Sequence, residues 1–173
     1  MIVLGIDPGL ATVGIGLVEI SRVPGPASQV PRLLDWCVIT TAKGLPLPER
    51  LREISKDLSE ILHAEKPDLV VVEKLYFATN RKTAMDVAEA RGAILLTVQE
   101  AGVPVLEPTP LQLKLAVTGD GGADKRQVRE MLLRILHLEE AAFTGGSDDA
   151  TDAVALAVYG AFSAQTVDML RAG

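Results

Sequence analysis

Cysteine is almost absent from the 173 residues, and a single Cys37 can form neither an intramolecular disulfide nor a thiolate metal cluster. That economy fits a reducing compartment, and Cys37, inside the strand-like run LLDWCVIT, reads as a small core residue. Histidine is nearly as scarce: with only His63 and His137, the chain does not fit an imidazole-rich zinc centre. Aromatics number six, so any two that fall together are conspicuous. Long hydrophobic runs are missing as well. The apolar stretch AVALAVYGAF near the C-terminus is ten residues long, well short of the ~20 a membrane span requires. No basic stretch precedes an apolar one at the N-terminus, and an acid interrupts it at position 7. These absences predict a soluble, cytoplasmic protein with no membrane partner.

Positive charge is also outnumbered, at 17 Lys and Arg against 23 Asp and Glu, a formal net charge of -6. Taken whole, that balance argues against an anionic partner. Its distribution reverses the argument. Residues 138–173 carry six acids and one base, whereas residues 74–91 and 111–134 each carry a net charge of +2. Basic segments coexist with an acidic C-terminal end.

What the chain has in quantity is apolar surface, 48% of its residues, enough for one domain with a substantial core. Strand-like runs occupy 2–7, 13–20 and about 32–41, the first two joined by the short turn PGLAT that suits an antiparallel pair. The proline-bearing segment SRVPGPASQVP between the second and third is a surface loop. Apolar residues at helical spacing predict a helix from Pro48 to about Glu65, and DLVVVE (68–73) is a further buried strand; a helix between two strands implies a right-handed crossover to a parallel neighbour. A long helix follows at about 80–101, then the short strand VPVLE and three more helices, the last beginning near SDDATD. The order β-β-β-α-β-α-β-α-α-α is the outline of an α/β, ribonuclease H-like domain: a mixed five-stranded sheet flanked by helices, over residues 1–162, with 163–173 as a tail.

Two of the buried strands, LGID and VVVE, end in carboxylates, Asp7 and Glu73. The C-terminal ends of strands are where α/β sheets build their sites. In the last helix Asp149 and Asp152 lie three apart on one face, near the end where the helix dipole favours negative charge. Asp148 and Asp152 also share a face, so spacing does not choose between 148 and 149. Carboxylates gathered in a low-dielectric crevice repel one another unless cations sit among them. An all-oxygen donor set selects hard ions, Mg2+ or Mn2+, and suits two-metal phosphodiester hydrolysis.

The runs GIDPGLATVGIG, VVVEKLYF, TNRKTAMDVAEARG, GDGGADK and DDATDAVALA, in this order from Met1 to about Phe162, resemble the RuvC family of Holliday junction resolvases. The resemblance implies that Asp7, Glu73, Asp149 and Asp152 are the metal-binding acids, with Asp149 rather than Asp148 as the third. It implies that an aromatic at Tyr76 or Phe77 contacts bases at the junction centre, where stacking is worth ~1 to 3 kcal/mol. Lys114 and Lys125 match lysines at the rim of the site, where an ammonium steadies the charge of the scissile phosphate. Asn80, Arg81, Lys82, Arg126 and Arg129, with Lys125, would hold phosphates and carry no sequence information. The resemblance further implies two Mg2+ per site, with Mn2+ as a substitute, and a homodimer that nicks two strands of a four-way DNA junction symmetrically in recombination and repair. A branch-migration motor complex is its implied partner.

Two rival functions compete. Asp-x-Gly after a first strand also opens actin-like and sugar-kinase ATPases, but those need a second domain that 173 residues cannot supply. A junction-binding module without catalysis would lack at least one acid, and all four are present.

Overall fold

Residues 1–21, 30–74, 81–143 and 148–163 are described by a computed structural model, without the side chains of 81–83 and 140. The segment 22–29, most of the proline-bearing loop, and the tail beyond Ser163 lie outside the described residues. Five strands form one sheet: β1 (Ile2–Asp7), β2 (Thr12–Glu19), β3 (Arg32–Thr40), β4 (Leu69–Val72) and β5 (Val105–Leu106), in the order β3-β2-β1-β4-β5. The tight turn after Asp7 makes β1 and β2 antiparallel, and β3 continues the meander. Helix α1 (Leu47–Glu65) returns the chain across the sheet, so β4 pairs parallel with β1, and α2 (Arg81–Glu100) does the same for β5. The helices α3 (Pro110–Thr118), α4 (Lys125–Ile135) and α5 (Asp148–Phe162) follow. A short 3-10 helix at Glu140–Phe143, not anticipated from the sequence, precedes α5.

The two-residue period of the strands divides their side chains between two cores. Leu4, Ile6, Val13, Ile15, Leu17, Val70 and Val72 pack with Ile54, Leu58 and Leu62 of α1 and Ala90, Ile94 and Val98 of α2. On the opposite face Val3, Val18, Leu69 and Val71 meet Leu113, Leu132 and the apolar face of α5. α5 lies nearly flush on β1 and β2 because glycine stands wherever a side chain would obstruct it. A Cβ on Gly16 would fall 2.6 Å from Val154 N, one on Gly5 2.5 Å from Ala157 N, and one on Gly14 would collide with the Asp149 backbone. α5 answers with Ala150, Ala153, Ala157 and Gly160, all buried.

Cys37 corrects the sequence reading: it is exposed. β3 is the edge of the sheet, and although Ile39 is buried under α1, that helix leaves Cys37 at an open groove.

Candidate functional site

Asp7 ends β1, and Glu73 follows the last residue of β4, its parallel neighbour, so both acids arrive at one end of the sheet. The flush seat of α5 carries Asp149 and Asp152, in its first turns, toward the same end. The Asp7 carboxylate senses the other three, and Glu73 senses Asp152. Burial, then Asp152, Asp149 and Glu73, push the Asp7 carboxyl up from 3.8 to about 7, against the opposing pull of Lys125. Glu73 is raised by burial and by Asp152, with Lys125 and Lys114 working the other way.

The lysines reach this place on capped helices. α3 starts at an N-cap, Thr109, whose hydroxyl accepts the Gln112 N–H while the Gln112 side chain accepts from Thr109 N–H, and Pro110 fills the first turn. α4 starts at Asp124 with the same reciprocal pair through Gln127, which sets Lys125 as its first helical residue. Lys125 Nζ donates to Asp152 Oδ2 at 2.7 Å, with 71% of the lysine side chain exposed against 33% of the aspartate. The Asp152 hydrogen bond foremost raises the Lys125 pKa, so the lysine stays charged.

Other residues singled out in the sequence separate from this group. Arg126 pairs with Glu130 on its own helix at 2.9 Å, and the Arg129 guanidinium lies 5.4 Å from the centroid of the Phe143 ring. Tyr76, Phe77 and Asn80, and the side chains of Arg81 and Lys82, fall outside the described residues.

Two arginines at the site went unread in the sequence. Arg91 of α2 donates from Nε to the Glu73 backbone carbonyl at 3.0 Å and pairs through its guanidinium with Glu107 beyond β5. Its signal was a charged residue on the apolar side of an amphipathic helix, between Val87 and Ile94. Arg50 of α1 donates from Nε to Thr41 Oγ1 at 2.8 Å, and that hydroxyl donates to Leu10 O, tying α1 to the turn that follows Asp7. A cavity of about 330 Å³ lies between Gly9–Thr12, Arg50, Asp86, Val87 and Asp149.

Among the described residues no three His, Cys, Asp or Glu side chains stand as a ready-made metal site. The chemistry of the donor set nevertheless fits a hard dication: the acids are oxygen donors, and burial first, then the charges of Asp152, Asp149 and Glu73, raise the Asp7 carboxyl against the partial offset of Lys125.

Strand-end acids on a mixed five-stranded sheet, faced by acids from the helix that packs across it, define a ribonuclease H-like nuclease. A family profile described as "Crossover junction endodeoxyribonuclease RuvC" matches residues 3–160. The chain is 46% identical to the crossover junction endodeoxyribonuclease RuvC of Chloroflexus aggregans over 95% of its own length and 94% of the relative's, and 44% identical to that of Chloroflexus aurantiacus over the same shares. The solved structure of Thermus thermophilus RuvC in complex with a Holliday junction substrate superimposes with a TM-score of 0.84 at 37% identity, covering 96% of each chain. The chain belongs to the RuvC family of crossover junction endodeoxyribonucleases. Among the described residues no helix is long and apolar enough to cross a membrane.

Proposed function

We propose that this chain resolves four-way DNA junctions by paired, symmetric nicks, with Asp7, Glu73, Asp149 and Asp152 holding two Mg2+ ions. The observation that carries the reading is the convergence of Glu73, Asp149 and Asp152 on the buried Asp7, acids from two strand ends and from a helix more than 140 residues after the first of them. When bound, the cations supply Lewis acidity for the attacking water and neutralise charge on the phosphate. The protein's part is to hold the carboxylates at fixed positions and to exclude bulk water from the acid at the centre of the sheet. Lys125 contributes a permanent positive charge at the rim, where it offsets the developing phosphate charge; Lys114 acts from α3 in the same sense. Tyr76 or Phe77 stacks on unpaired bases at the junction centre, and Asn80, Arg81 and Lys82 hold phosphates. Arg126 and Arg129 add to the basic surface beside Lys125.

A two-fold junction calls for a two-fold enzyme, and α2 offers the surface. Met85 and Leu96 are 69% and 60% exposed. Gly92, on the same helical face, has open space where a Cβ would stand, which lets a second copy of α2 approach closely.

The test incubates the protein with a synthetic mobile junction, with Mg2+ or with EDTA, beside a linear duplex of the same sequence. Paired nicks that give ligatable duplexes only with Mg2+ are expected. Equal cutting of the duplex, or cutting in EDTA, overturns the reading.

A further inference from the structure

We infer that the outer edge of β3, with the α1 face beside it, is a docking groove for an extended, basic peptide segment of a protein partner. β3 ends the sheet, so among the described residues one row of its backbone N–H and C=O groups has no strand neighbour. Proteins ordinarily blunt such an edge with bulges, prolines or charged side chains. Here the blunting is confined to the first half of the strand. The register slips between Leu17 and Val18 as β2 passes β3, and the Trp36 N–H is taken by the neighbouring Asp35 carboxylate at 2.8 Å. From Cys37 to Thr40 there is neither proline nor charge, and Cys37, Val38 and Thr40 are exposed.

That undefended half forms one wall of a groove of about 490 Å³, whose other wall is α1. An edge strand facing a helix across a groove is the arrangement in which a peptide adds as an extra strand: main-chain hydrogen bonds give affinity and alternate side chains meet the groove. The charge of the groove selects the occupant. Asp57, Glu60 and Glu65 line it with Ile61 and Ala64, and among the described residues no Lys or Arg does. A neighbouring cation, Lys56, pairs with Glu60 at 3.6 Å. Partial burial of its sulfur against the groove wall, then the charges of Asp35 and Glu65, push the Cys37 thiol up. A negative groove repels DNA and also repels a second copy of itself, whereas it attracts a strand in which Lys or Arg alternates with Val or Ile. β3 is separated from β1 by one strand, roughly 10 Å at the usual spacing, so the occupant need not compete with substrate at Asp7.

The probe is a fluorescein-labelled nonapeptide in which lysine and arginine alternate with valine, compared with a peptide of equal charge that carries proline in place of valine. Fluorescence anisotropy on the full chain should show saturable binding of the first peptide and at least tenfold weaker binding of the second, and hydrogen exchange should show new protection of the Val38 and Thr40 amides. Asp57→Asn, Glu60→Gln and Glu65→Gln combined should weaken the first peptide at least tenfold and leave junction nicking within twofold. Val38→Pro should do the same by removing an edge N–H; the triple variant keeps the test decisive if that substitution unfolds the strand. Absence of binding, equal binding of both peptides, or displacement by junction DNA overturns the inference. So does a change in oligomeric mass in the triple variant, which would make the flank a contact between copies.

Discussion

Among the described residues Asp7 carries the most displaced carboxyl. Below about pH 4 its carboxyl is neutral in both the folded and the unfolded chain; between 3.8 and about 7 the unfolded chain gives up the proton and the folded chain keeps it. The stability of the metal-free protein should therefore fall as pH rises through this window and level off above it. The loss should reach a few kcal/mol, since each tenfold change in acidity corresponds to about 1.4 kcal/mol. Asp7→Asn should abolish nicking, retain junction binding, and flatten this pH dependence in thermal melts. Mg2+ added near pH 8 should raise the melting temperature of the wild-type chain and leave that of Asp7→Asn unchanged, because a ligand stabilises only the state that binds it. Lys125→Met should slow single-turnover nicking by about 10²-fold, as loss of one preorganised positive charge commonly does, without weakening binding to plain duplex by more than the loss of one phosphate contact. Asp7 and Glu73 stood out as candidates because carboxylates at the ends of apolar runs contradict their surroundings, whereas spacing left Asp148 and Asp149 open and only the family resemblance chose between them. Arg91 and Arg50 were not, since their partners are a backbone carbonyl and a hydroxyl that only the fold brings near.

Elements place these residues, and two contacts between elements set the tolerance of the site. Gly14→Ala puts a methyl group into the Asp149 backbone. Overpacking of this kind costs about 1 to 3 kcal/mol, but nicking should fall much further, because a shift of about 1 Å in a reacting group can cost 10²-fold. Melting curves and single-turnover rates on the same preparation separate the two effects. Arg91→Gln releases the Glu73 carbonyl from α2, and nicking should drop about tenfold at unchanged junction affinity, with Arg91→Lys recovering part of the rate; a parallel loss of affinity would assign Arg91 to DNA binding instead. The elements themselves were readable from apolar spacing, and the strand and helix bounds moved by a residue or two. The reason α5 sits so close to the sheet was hidden, because the glycines of VGIG read as ordinary strand residues until the alanines of α5 are laid over them. Cys37 was misjudged on similar grounds: an apolar neighbourhood in sequence does not reveal that β3 is an edge.

At the scale of the whole molecule, composition pointed away from DNA and the arrangement of charge pointed toward it. Only the fold gathers Lys114 and Lys125 around acids that lie far off in sequence. For the proposed homodimer, Leu96→Glu, on the exposed face of α2, should halve the mass seen by light scattering and turn paired nicks into isolated ones, while each site keeps its chemistry; an unchanged mass overturns α2 as the interface.

The seam between α5 and the first two strands has a consequence during synthesis. Asp7 precedes Asp149 by 142 residues, so at about 5 to 20 residues per second the helix acids leave the ribosome several seconds or more after it. Until α5 docks, the glycine face of β1 and β2 is bare and half of the carboxylates are missing. On the proposed four-acid site, competence to cut DNA therefore arrives only with α5, and the docking of that helix serves as the safety catch.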